Sequence, residues 1–263
     1  MTTEAVLYDV SDHVATITFN RPDQQNTISP AMLNRLTELL LEADADTDVR
    51  AIIVTATGKF FCAGLDLRGS AITDNLSEGR SSPANLDLRN TPPTVLHNLD
   101  TPTIAAVNGS AAGYGMDLAL GCDIRVMADT AKLAAAFTAR GVVPESGGTW
   151  ILPRLIGWSK ASEIIFTGKT LVASECEELG LVSHVVGHNE VHESATEIAR
   201  AIARNAPMAV QASKRMMRMG MNETFNDHVH HVFLQLLPLF QSEDFKEGMA
   251  SFMEKRAPEF KGR

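Results

Sequence analysis

The stretch Asn108-Gly109-Ser110-Ala111-Ala112-Gly113-Tyr114-Gly115-Met116-Asp117 follows the apolar run Thr103 to Val107 and leads into a helical pattern that ends at Gly121. Glycines so spaced let backbone come close to a ligand. A helix that opens here turns unpaired N–H groups and the positive end of its dipole towards an anion. An earlier stretch, Phe60-Phe61-Cys62-Ala63-Gly64-Leu65-Asp66-Leu67, repeats the logic, because the strand-like run Ala51 to Thr55 passes through Gly58 into a small-residue turn. Two such turns can aim two N–H donors at one oxygen. Either alone reads equally well as a tight packing turn.

Two carboxylates accompany the turns. Asp117 lies three residues after Tyr114 and shares a helix face with it, so it serves either the site or simply the helix dipole. Glu145 sits between Pro144 and Ser146-Gly147-Gly148, ahead of another helix, with Phe137 and Trp150 as candidate apolar walls. A carboxyl held in an apolar pocket has a raised pKa and can act as acid or base near neutral pH; outside such a pocket this glutamate is an exposed turn residue.

The elements that must position these groups follow from periodicity and punctuation. Val6 to Val10 and His13 to Phe19 read as paired strands about a turn at Ser11-Asp12, and Asn20-Arg21-Pro22 stops them. Ser29-Pro30 opens a helix carrying Met32, Leu33, Leu36, Leu39, Leu40 and Ala43. Residues 69–93 form an irregular loop, either a lid or binding segment or a mobile excursion. Strands are expected at 124–128 and 132–137, then a turn over 141–148 feeding a helix towards Ile156, and helices at 159–166 and 173–179. Beyond about residue 190 only helices remain: one marked by Ile198, Ala201 and Ile202, one from Pro207 to Gly220, one capped by Asn222 and one capped by Ser242. The expectation is an α/β core over 1–195 and a helical oligomerisation region over 196–263, whose apolar rows need another surface.

At 263 residues, 44% hydrophobic and 21% charged, the chain is long enough for one large core. A net charge of -9 argues against general nucleic-acid binding. The N-terminus has no basic region followed by an apolar core, and no apolar run reaches membrane-spanning length, which together with three unpaired cysteines (Cys62, Cys122, Cys176) reads as a cytoplasmic protein with no membrane partner. His228 and His231 share a helix face, but no third ligand is evident, so no metal is expected. The glycine spacing also fits a short-chain dehydrogenase loosely. That class needs a Tyr-x-x-x-Lys pair, and here Tyr8 and Tyr114 are followed four residues on by Asp12 and Leu118.

Taken together, the two turns, Asn20-Arg21-Pro22, the segment Gly141 to Trp150 and the helical tail resemble the crotonase (enoyl-CoA hydratase/isomerase) superfamily over nearly the whole chain. The resemblance implies an α/β spiral of ββα units with a C-terminal all-helical trimerisation region, and homotrimers that often pair into hexamers. It implies an acyl-CoA substrate, with coenzyme A as part of that substrate and no separate cofactor. The donors to the thioester oxygen fall on Leu65 and Tyr114; Ala63, Leu65 and Leu67 match positions at the adenine end of CoA. Phe252 and Lys255, in Phe-Met-Glu-Lys-Arg, match tail residues that reach the CoA of a neighbouring subunit.

Departures from the pattern bear on the reaction. Hydratases of the family hold water between a glutamate in the helix after the central glycines and another in the later strand; here those positions are Asp117 and Phe137. Glu145 matches a position where ring-oxepin and dienoyl-CoA isomerases carry an aspartate and related dehalogenases a nucleophile. The expectation is therefore double-bond isomerisation with Glu145 as single acid/base. A hydratase using Asp117 and Glu145 together, and a catalytically silent acyl-CoA-binding member, are the alternatives.

Overall fold

The computed structural model describes residues 4–66 and 91–263. Two strands, β1 (Val6–Ser11) and β2 (Val14–Phe19), pair antiparallel from Val6 opposite Phe19 to Ser11 opposite Val14. The turn between them is Asp12-His13, one residue later than the sequence reading placed it, and both residues take positive φ (50 and 65). Two successive left-handed residues give a turn whose twist matches that of the flanking strands.

After α1 (Pro30–Ala45), capped by the Ser29 hydroxyl accepting from the Met32 N–H, the chain settles into a repeating order. It places β3 (Ala51–Ala56), β5 (Thr103–Val107) and β7 (Ile124–Ala128) in one sheet, and β4 (Phe60–Cys62), β6 (Ser110–Ala112) and β8 (Lys132–Ala134) in another. The first sheet has the order β1-β2-β3-β5-β7-β10, with β10 (His184–Val186), and is parallel from β2 onwards. The second has the order β4-β6-β8-β9, with β9 (Thr170–Val172) antiparallel at its edge. Helices follow each strand pair: α2 (Pro92–Asn98) before β5, α3 (Tyr114–Gly121) after β6 and α4 (Gly148–Ile156) after β8. Each strand–strand–helix unit advances one step along both sheets, which makes the spiral of ββα units that was expected. β3 and β5 are buried along nearly their whole length, as parallel strands covered on both faces must be.

β8 ends at Ala134, not at residue 137. The Ala136 and Phe137 N–H groups donate to Ala134 and Ala135 carbonyls, two residues back, and this bend swings Phe137 out of the ladder. Further along lie α5 (Trp158–Thr167) and α6 (Ala173–Glu178). α7 (Val191–Ala203) spans the expected division at 195–196 and packs on β3, β5 and β7 through Val191, Ala195 and Ala199. Small residues on one stripe let that helix lie close to the sheet. Beyond it come α8 (Pro207–Gly220), α9 (Phe225–Leu239) and α10 (Glu243–Glu254). α9 is capped by Thr224, whose hydroxyl accepts from the Asp227 N–H; Asn222, expected as the cap, belongs to the preceding turn. No helix among the described residues is long and apolar enough to cross a membrane.

Candidate active site

The first turn leaves β4 through Ala63-Gly64-Leu65-Asp66. The Ile28 N–H donates to the Gly64 carbonyl and the Ile28 carbonyl accepts from the Asp66 N–H, both at 2.9 Å. This parallel bridge uses the groups on either side of Leu65, so the Leu65 N–H points away from Ile28. Arg21 fixes the end of the turn, its guanidinium donating to Asp66 (3.1 Å) and to the Thr27 carbonyl (2.9 Å).

The second turn leaves β6 through Gly113, whose N–H donates to the Ala134 carbonyl at 3.0 Å and whose φ of 52 caps α3. Tyr114 is the first residue of that helix, where the N–H has no partner within the helix. The two turns touch. A Cβ on Gly64 would lie 3.1 Å from the Ala112 carbonyl oxygen and 3.9 Å from the Tyr114 nitrogen, and one on Gly115 would lie 2.1 Å from the Cys62 carbonyl oxygen. Only glycine permits this approach, and it brings the Leu65 and Tyr114 positions into one neighbourhood.

A third segment, Gly141 to Gly148, adds the carboxylates. Asp117 is buried, and its Oδ2 accepts from the Ser146 N–H at 3.3 Å; the Gly148 N–H also supports it. Burial raises the Asp117 carboxyl to about 7, with the Glu145 charge adding to the effect against those two hydrogen bonds. Glu145 as a whole is exposed, yet partial desolvation of its carboxyl raises its pKa as well. The two acids are thus close enough to feel each other. Phe137 is buried, and its ring lies 4.0 Å from where a Gly113 Cβ would be.

Trp150 stands further down α4, with the His97 ring edge-on at 5.1 Å and the Arg154 guanidinium 3.8 Å from its centroid. It lines a cavity of about 880 Å³ with Leu96, His97, Leu120 and Ile151. Ala63 is half-buried in the first turn, its N–H donating to the Gln25 carbonyl. Leu67, and residues 69–90 of the expected loop, lie outside the described residues. Phe252 and Lys255 stand exposed at the end of α10; among the described residues no hydrogen bond, ion pair or ring contact links them to the first turn. His228 and His231 both turn Nδ1 to Glu223, at 3.2 and 2.9 Å, and no group of three potential metal ligands occurs among the described residues.

His97 and Ser146 were not singled out from the sequence, and Arg21, read there only within Asn20-Arg21-Pro22, gains from the structure its role of anchoring Asp66 in the first turn. The Gly147-Gly148 pair was the available signal for Ser146, since a glycine pair after an acid marks close backbone approach.

The sequence model of the family described as Enoyl-CoA hydratase/isomerase matches residues 9–263. The chain belongs to this family. It is 37% identical over 266 residues to YngF of Bacillus subtilis (strain 168), an enoyl-CoA hydratase/isomerase by assignment, covering 98% of this chain and 99% of that one. It is 32% identical over 263 residues to the 1,2-epoxyphenylacetyl-CoA isomerase of Escherichia coli (strain K12), covering 99% of each. The crystal structure of an enoyl-CoA hydratase from Bacillus anthracis superimposes with a TM-score of 0.90 at 34% identity, over 99% of this chain and 100% of that one. Family membership makes this protein an enzyme of acyl-CoA chemistry on the crotonase fold, with both hydration and isomerisation among the activities named for its relatives.

Proposed function

We propose that this enzyme shifts a carbon–carbon double bond within an enoyl-CoA thioester, with Glu145 as the single acid/base. The Glu145 carboxylate takes a proton from the carbon next to the thioester, and the electron pair moves onto the thioester oxygen. The N–H groups of Leu65 and Tyr114 hold that enolate oxygen. Collapse of the enolate returns the proton from Glu145 to a carbon further along, so the double bond moves and the formula is unchanged. Fixed donors aimed at charge that appears only in the transition state lower the barrier, each worth about 10²–10³ in rate.

The observation that carries this reading is the pairing of Phe137 with Gly113. Where the resembled hydratases anchor water with a second glutamate, a buried phenyl ring stands against the turn that bears Tyr114. The raised carboxyl of Glu145 supports the assignment, because an acid/base works best with a pKa near the working pH. Hydration is the second reading, favoured by the electrostatic proximity of Asp117 and Glu145, which could hold a water between them. Turnover in oxygen-18 water separates the two: isomerisation gives product of unchanged mass, whereas label in the product establishes hydration.

The CoA portion fits the same proposal, with Ala63, Leu65 and Leu67 at its adenine end and Phe252 and Lys255 contributed by a neighbouring subunit. Assembly into trimers, or hexamers built from them, belongs to the same proposal and is supported by α9, which has no buried residue and offers Phe225, Val229 and Phe233 as an apolar face.

A further inference from the structure

Arg125 stands in β7, the strand that follows α3, and is 6% exposed. Among the described residues its guanidinium bonds to no carboxylate and donates to carbonyls alone. Two of them, those of Leu120 and Cys122, end α3; the third is the Leu181 carbonyl, which Nε reaches at 2.5 Å. The acid next in the chain is committed elsewhere: Asp123 accepts from the Thr103 N–H at 2.7 Å and hydroxyl at 2.8 Å, and pairs with Lys214 at 2.7 Å. The Cys122 thiol, pushed up to about 12 by burial, is neutral. Desolvation disfavours a buried cation that no carboxylate bonds. A neutral amide side chain can also donate to carbonyls, so what the arginine adds at this helix end is charge.

The position of that charge bears on the reaction. α3 has eight residues and is therefore about 12 Å long. Tyr114, at its start, carries one of the two N–H groups assigned to the enolate oxygen. A helix presents roughly half a positive charge at its N-terminus and half a negative one at its C-terminus, so in a short helix the far end opposes an anion at the near end. A full positive charge on the last carbonyls reverses that opposition. With an effective dielectric of about 20 and a separation of roughly 15 Å, one charge alters the stability of an anion by a factor of about six. Residues Tyr114 to Leu120 of α3 are all buried, so little water intervenes to screen it.

We propose that Arg125 is a positioning residue of the reaction, acting through α3: it holds the C-terminal carbonyls of that helix and sets a positive charge behind the Tyr114 N–H, which stabilises the enolate oxygen at the other end. The proposal rests on the enolate being held at Leu65 and Tyr114, and it applies equally whether that enolate leads to isomerisation or hydration.

The test is the enolisation of bound acetoacetyl-CoA, followed through the near-ultraviolet absorbance of the enolate as pH is raised. The compound loses a proton to the buffer from the carbon between its carbonyls, and the charge spreads to the thioester and ketone oxygens. The wild-type enzyme is expected to enolise it at lower pH than free solution does. Arg125→Gln and Arg125→Met should raise the bound midpoint by about half to one pH unit, a roughly three- to tenfold change in the enolisation constant. They should lower kcat on an enoyl-CoA by a similar factor, with the Kd of butanoyl-CoA within about twofold of wild type. Arg125→Lys keeps the charge and should stay within about 0.3 of the wild-type midpoint. Asp123→Asn removes a negative charge beside the same helix end and leaves the three Arg125 bonds in place, so it should move the midpoint downwards, by about twofold in the constant. That variant decides the matter even where a neutral residue at position 125 does not fold. Unmoved midpoints in folded neutral variants, an Arg125→Lys midpoint displaced as far as that of Arg125→Gln, or an Asp123→Asn midpoint that stays or rises overturns the proposal. A wild-type enzyme that leaves the midpoint at its free-solution value defeats the enolate reading and this inference with it, whereas a wild-type shift that the variants do not alter defeats this inference alone.

Discussion

Gly148 is in contact with Asp117: a Cβ built on that glycine would lie 2.2 Å from Oδ1. The start of α4 is therefore pressed against a carboxylate on the first turn of α3, and the acid is held by backbone N–H groups of Ser146 and Gly148 from that same approach. Gly148→Ala must push Asp117 or α4 away. The expected outcome is a loss of about 1–3 kcal/mol in stability and a kcat reduced by about 10². Denaturant unfolding beside steady-state kinetics checks both.

Glu145→Gln keeps the shape and removes proton exchange. Turnover of an enoyl-CoA should fall by at least about 10², while binding of a saturated acyl-CoA stays within about twofold. Asp117→Asn should have the smaller effect on kcat. An unimpaired Glu145→Gln enzyme would refute the assigned role.

Asp117 also sets a pH signature for stability. Its carboxyl titrates at about 7 in the folded chain, against about 3.9 when unfolded. Between those values the unfolded chain has released the proton and the folded one retains it, so stability falls as pH rises through that window and levels off above 7. Asp117→Asn lacks this titration. The difference in unfolding free energy between wild type and Asp117→Asn should therefore move against the wild type by a few kcal/mol between pH 4 and 8. A pH-independent difference would mean that Asp117 is not the buried acid this structure presents.

The exposed face of α9 should be an interface between copies. Sedimentation of the full chain is expected to give trimers or hexamers, and Phe233→Asp, a charge placed on a residue 55% exposed in the single chain, should shift the population towards smaller species. A wild-type monomer would count against the oligomeric proposal.

Local signals alone carried much of the architecture. The Ser29-Pro30 helix start, the Pro207-to-Gly220 helix and the Ser242 cap all stand where punctuation put them, because capping and proline geometry act within a few residues. Both glycine turns were legible for the same reason: a positive φ, as at Gly64 and Gly113, is a demand that one residue type meets. The early end of β8 was not legible. Lys132 to Phe137 has a strand's composition throughout, yet past Ala134 the Ala136 and Phe137 N–H groups turn back to carbonyls two residues earlier, next to the long-range contact in which the Gly113 N–H takes the Ala134 carbonyl. Nor did sequence position reveal that Ser146 would donate its N–H to Asp117 across 29 residues, that Arg21 would reach Asp66, or that His97 would meet Trp150. The residue types of a catalytic turn are written locally, since each answers to its own backbone. Which carboxylate is buried and which ring faces the turn depend on how separate helices and strands pack, and only the tertiary structure decides that.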